Sequence, residues 1–124
     1  MSTPLGPYRP IVRAGPWRVC SGQLGVAPDD SGTPGLVDGG AAAQLTRALE
    51  NADGLLAGEG VTRQDVVKTT VFAIDLAEAP ALNQAYTAFF GDHRPARSMV
   101  GVAALPLGAL VEIELWAYRE DARG

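Results

Sequence analysis

The sequence predicts an α+β fold, a mixed β-sheet with two helices packed on one of its faces. Three observations carry that prediction. Leu45, Leu49, Ala52 and Leu56 recur at spacings of four, three and four, the period of one helix face. "EAPALNQAYTAFFGDH", residues 78–93, is a second helical run with Leu82, Tyr86, Phe89 and Phe90 on its apolar side. In "ALVEIELWAYR", residues 109–119, Val111, Ile113, Leu115 and Ala117 recur at every second position, the period of one strand face.

The elements follow in order. "YRPIVRAG" and "WRVCSGQ" are short β-like runs separated by Gly15 and Pro16, a hairpin pattern. Residues 24–40 are dense in Gly, Pro and Asp and predict mostly loop. The first helix begins at Ala41 and fades near Gly58 and Gly60. "VTRQDVVKTTVFAIDL" predicts a brief turn and a strand rich in Val, Thr and Phe. The second helix accepts Pro80 in its first turn and stops at Gly91. Two strands, "ARSMVGVAAL" and "ALVEIELWAYR", close the chain on either side of a "PLG" turn.

Successive strand side chains point to opposite faces. In the last strand Val111, Ile113, Leu115 and Ala117 form a core face, while Glu112, Glu114, Trp116 and Tyr118 form the other. Two carboxylates beside two large aromatics suit an interface with another subunit, with the acidic end near a crevice. In the preceding strand, sending Val100 and Val102 to the core places Arg97, Met99 and Gly101 on the opposite face, the one expected to hold Glu112.

Bulk properties narrow the function. A length of 124 residues fits one domain, 1–124, long enough to bury about two thirds of the surface its unfolded chain exposes. A net charge of −4, with no run of Lys or Arg, argues against nucleic-acid and anionic-membrane partners. Cys20 is the only cysteine and His93 the only histidine, so neither a disulfide nor a Cys/His zinc site can be assembled within the chain. "MSTPLGPYRP" lacks a secretory pattern and no apolar run has transmembrane length, so a cytoplasmic location is expected.

Arg97 and Glu112 are the residues with chemistry to offer. Arg97 either pairs with Glu112 or Glu114, or clamps a substrate carboxylate through its planar guanidinium. Glu112 is either a solvated charge or a general acid–base held partly desolvated. Cys20 has no histidine nearby in sequence to activate it and reads as a buried thiol. His93 reads as a loop residue, and the "GEG" and "DGG" glycines as turns.

From Gly6 to Tyr118 the chain resembles the Rid family of reactive intermediate deaminases, also called the YjgF-type family. The resemblance rests on "GPY" at 6–8, "SGQ" at 21–23, "DVVKTTVF" at 65–72, "LNQAYTAFFGDHRPARS" at 82–98 and "GALVEIE" at 108–114. It implies a chorismate mutase-like homotrimer with active sites between subunits. The implied reaction is hydrolysis of 2-imino acids, tautomers of enamines released by pyridoxal phosphate enzymes, to 2-oxo acids and ammonia, with no cofactor or metal. By position, Arg97 would bind the substrate carboxylate and Glu112 would activate water, while Tyr8, Ser21, Gly22 and Asn83 match pocket positions. Many members carry cysteine where this chain has Met99, and "GPYRP" departs from a small polar residue after the tyrosine. Both departures bear on substrate range. Two alternatives stand beside the deaminase: a non-catalytic small-molecule-binding or regulatory trimer of the same fold, and an endoribonuclease, which the acidic composition disfavours.

Overall fold

The computed structural model describes residues 6–120. Strand β1 (Ile11–Ala14) turns at Gly15 into β2 (Trp17–Leu24), giving the expected hairpin. The segment expected to be loop contains a second, small hairpin, β3 (Val26–Pro28) with β4 (Pro34–Leu36). Its tip is closed by Asp29, whose carboxylate accepts from the backbone N–H groups of Ser31 and Thr33, a local turn device that composition alone reads as irregular. Helix α1 (Gly40–Gly58), β5 (Val66–Ala73), α2 (Ala79–Phe90), β6 (Ala96–Gly101) and β7 (Val111–Tyr118) complete the chain.

The main sheet has five strands in the order β1-β2-β7-β5-β6. Among the described strands only β5 and β6 run parallel, because α2 forms the crossover between them. Strands β6 and β7 are consecutive in the chain but are not neighbours in the sheet. The link through residues 102–110 carries the chain past the end of β5, so β7 pairs with β5 on the side away from β6. Two backbone bonds tie the link to that strand end, Val102 N–H to Ala73 O and Ile74 N–H to Leu110 O. The "PLG" segment is a tight 3₁₀ turn, with Leu107 at φ 61°.

Both helices lie on one face of the sheet. Helix α1 buries Ala41, Leu45, Ala48, Leu49, Ala52, Leu55 and Leu56, an i, i+3, i+4 stripe against Val111, Ile113, Leu115 and Ala117 of β7. Gly25 permits this packing: a Cβ there would sit 2.8 Å from the carbonyl carbon of Gln44. Gln44 is buried because its side-chain oxygen accepts from Leu110 N–H at 2.9 Å, fixing the start of β7 against α1. Helix α2 buries Leu82, Tyr86 and Phe90, while Phe89 stays at the margin under the Arg63 guanidinium. Arg18, 3% exposed, was not singled out by its sequence; it donates to the carbonyls of Pro16, Arg119 and Glu59 and joins β2 to the ends of β7 and α1.

Among the described residues the opposite face carries no helix. Val12, Trp17, Val19, Phe72, Glu112, Glu114, Trp116 and Tyr118 share it by strand register. Trp17 packs edge-on against both Trp116 and Tyr118, yet these last two remain 41% and 37% exposed.

Candidate active site

Glu112 lies on the helix-free face, between the fully buried Val111 and Ile113. Leu24 of β2 is its register partner, and two residues along β2 is bulged: the register passes from Cys20↔Leu115 to Gln23↔Ile113, so Ser21 and Gly22 together oppose Glu114. The bulge turns Gly22 onto the Glu112 carboxylate. A Cβ on Gly22 would sit 2.7 Å from the Glu112 carboxyl carbon and closer still to its Oε2, so a larger residue would push the carboxylate from this position. Ser21 anchors the chain before β1, its hydroxyl donating to Arg9 O at 2.7 Å and its N–H to Pro10 O at 2.8 Å. That anchoring holds Arg9 and Pro10 at the bulge, directly after the exposed Tyr8 in the chain. Ser21, Gly22 and Glu112 therefore belong to one region, with Tyr8 the next residue before the anchored pair.

The Glu112 carboxyl holds its proton more tightly than an ordinary glutamate. Partial burial is the main cause, and Glu114, two residues along the same strand face, adds repulsion. Among the described residues no cation lies within ion-pair distance of Glu112.

Arg97 is elsewhere. Its Nη1 donates to Asn83 Oδ1 at 2.8 Å, and its guanidinium lies 4.9 Å from the centroid of the Tyr86 ring. Both partners are on α2, so Arg97 points to the helix side of the sheet. Met99 lies on that side too and packs against the core, whereas Val100 is 40% exposed. The expected facing of β6 is thus inverted, and Arg97 does not share a face with Glu112. The cause is the edge position of β6, where α2 offers an amide and a ring that suit an arginine, and the valine is left outward.

The registers give the separation. Arg97 is opposite Thr69, which is opposite Leu115; Glu112 is opposite Phe72, which is opposite Val100. Their Cα atoms lie two strands and three residues apart, roughly 14 Å at the usual sheet spacings, and on opposite faces. An ion pair between them within one chain is ruled out. So is a shared small substrate, because the carboxylate and the C=N carbon of a 2-imino acid are directly bonded.

The remaining candidates are inert. Burial pushes the Cys20 thiol up to about 12, so it is no nucleophile at neutral pH. The His93 ring is bonded to Val66 O at 2.7 Å and packs against Phe90. Among the described residues no three His, Cys, Asp or Glu side chains converge as metal ligands, and no helix is long and apolar enough to cross a membrane. Tyr86 belongs to the apolar face of α2 by periodicity, and its spacing of three from Asn83 is the sequence signal that both meet the same arginine.

A five-stranded mixed sheet with both helices on one face, a bulge glycine against a strand glutamate and an edge-strand arginine define a class: chorismate mutase-like α+β proteins of the YjgF fold. A family model described as endoribonuclease L-PSP matches residues 1–119. The chain is 40% identical over 118 residues to the 2-iminobutanoate/2-iminopropanoate deaminase of Escherichia coli, covering 93% of this chain and 89% of that protein. It is 37% identical over 117 residues to a RutC family protein of Pyrococcus horikoshii, covering 94% and 90%. Among solved structures, the YjgF gene product of E. coli superposes with a TM-score of 0.84 at 39% identity, covering 94% and 91%. RidA from an Antarctic Psychrobacter superposes at 0.86 with 36% identity, covering 94% and 92%. The chain belongs to the Rid family, also known as the YjgF or L-PSP family.

Proposed function

We propose that this protein hydrolyses 2-imino acids to 2-oxo acids and ammonia, in sites formed between the subunits of a homotrimer. One observation carries the intersubunit part: Arg97 and Glu112 are both accessible and, among the described residues, uncommitted to any opposite charge, yet they occupy opposite faces roughly 14 Å apart. A substrate needing both must receive them from two chains. The likeness to relatives named as deaminases supports the reaction type.

In this reading Arg97 binds the substrate carboxylate through two parallel N–H donors, contributing on the order of 1.5–3 kcal/mol. Asn83 holds the guanidinium in place. Glu112 takes a proton from water as the water oxygen adds to the C=N carbon. That proton passes to nitrogen and gives a tetrahedral adduct bearing OH and NH2; Glu112 then carries the hydroxyl proton to the amino nitrogen as the C–N bond breaks, so that C=O forms and ammonia leaves. Partial desolvation suits Glu112 to this work, since a base whose proton affinity lies closer to neutrality transfers protons better, typically for about 10²–10⁴ in rate. Tyr8, Ser21 and Gly22 wall the Glu112 side. Met99 does not line the open side of β6, so its effect on substrate range would be indirect, through the packing beneath Arg97.

The test is a coupled assay in which an amino-acid oxidase or threonine dehydratase generates the imine and its decay is followed. Wild type should accelerate decay, Arg97→Ala should abolish the effect, and Glu112→Gln should reduce it about 100-fold. Equal rates for wild type and Arg97→Ala would sink the proposal. Binding of a 2-oxo acid without acceleration would point instead to a ligand-binding trimer.

A further inference from the structure

We infer that Tyr86 is a positioning residue for Arg97: with Asn83 it forms an uncharged platform that orients the guanidinium while leaving its full charge for a substrate anion. The inference rests on the reading of Arg97 as the carboxylate clamp and goes beyond it.

An exposed arginine on an edge strand samples many rotamers, and ordering it on substrate binding has an entropic cost. A carboxylate partner would order it, but would also neutralise it and compete with the substrate. The structure uses two neutral groups instead. Asn83 accepts one N–H at 2.8 Å, and the Tyr86 ring lies below the guanidinium at 4.9 Å, where the negative face of the π-system attracts a cation. Among the described residues only one of the five guanidinium N–H donors is used, which leaves a free edge for a bidentate ligand.

The platform is itself fixed. Tyr86 is 6% exposed, its hydroxyl shares a 2.8 Å hydrogen bond with Thr69, and its ring packs on Phe90 at 4.8 Å. Thr69 is fully buried and is the strand neighbour of Arg97 in the parallel β5–β6 pair. The same residue pair thus sets both ends of the assembly: Thr69 aligns the backbone that carries the arginine and the ring on which the arginine rests. Burial raises the Tyr86 phenol above its ordinary value, although Thr69 and the nearby Arg97 and Arg94 charges pull the other way. The phenol therefore stays neutral at neutral pH and does not become a counter-ion.

The experiment measures kcat and KM for 2-imino acid hydrolysis, with the inhibition constant of 2-oxobutanoate as an independent probe of anion binding. Tyr86→Phe keeps the ring and should hold KM within about threefold of wild type. Tyr86→Leu should raise both KM and the inhibition constant about tenfold, with kcat within about threefold. Asn83→Asp supplies a neutralising carboxylate without disturbing the core and should weaken 2-oxobutanoate binding more than Asn83→Ala does. A loss confined to kcat in Tyr86→Leu, or Asn83→Asp binding as well as Asn83→Ala, would overturn the inference. Should Tyr86→Leu fail to fold, Tyr86→Met, which keeps an apolar side chain but no π face, takes its place with the same expected rise in KM and inhibition constant, and wild-type values for it would overturn the inference. If Arg97→Ala leaves 2-oxobutanoate binding unchanged, the clamp reading itself is wrong; if Arg97→Ala weakens binding and the platform variants do not, only the platform is.

Discussion

A carboxylate that loses water without gaining a cation holds its proton more tightly, and Glu112 is in that position beside Gly22 and Glu114. Between the ordinary glutamate value of 4.5 and its own raised value, the native state binds more protons than the unfolded chain. Stability therefore falls as pH rises through that window and stays lower above it. Glu112→Gln should melt at a higher temperature than wild type at pH 7 and at the same temperature at pH 4, even while its activity is lost. Thermal melts at the two pH values check this. Gly22→Ala acts on the same carboxylate from the other side. Its Cβ displaces a side-chain tip that can swing away, so stability should change little, but the misplaced carboxylate should lower kcat about tenfold or more.

At the scale of elements, a second glycine gives the opposite result. Gly25 faces the Gln44 backbone, which cannot swing away, so Gly25→Ala should cost about 1–3 kcal/mol of stability, read as a lowered denaturant midpoint. Helix α1 was legible in the sequence because Leu45, Leu49, Ala52 and Leu56 are wholly buried, and complete burial is what periodicity detects. The faces of β7 were legible for the same reason: Val111, Ile113, Leu115 and Ala117 are sealed and their neighbours are not. Strand β6 was misread because it is an edge strand whose two faces differ little in burial. Alternation separated Arg97 and Met99 from Val100 correctly, but which set faces inward was decided by α2, through Asn83 and Tyr86, and not by the preference of valine for a core. The strand order was illegible for a different reason. A link of nine residues, 102–110, can return as a hairpin or pass around a neighbouring strand, and its composition is the same either way.

Across the whole molecule the helix-free face is what remains unexplained by one chain. Trp116 and Tyr118 stay exposed beside Trp17 on a sheet face that none of the described helices covers, as the last strand's alternation implied. In the proposed trimer this face is covered by the other copies. Trp116→Glu should then lower the solution mass from trimer to monomer and reduce activity in parallel, as read by light scattering and the coupled assay. A trimeric mass with full activity would separate this face from the assembly.

The placement of Arg97 and Glu112 on opposite faces has a genetic consequence. Each chain of the proposed trimer lends its arginine to one site and its glutamate to another, so a chain dead through Arg97→Ala still carries an intact glutamate. Two inactive variants, Arg97→Ala and Glu112→Gln, unfolded together and allowed to reassemble at equal amounts, should regain about a quarter of the wild-type sites by random mixing of copies. Two damaged copies of one gene would then complement each other within a single oligomer.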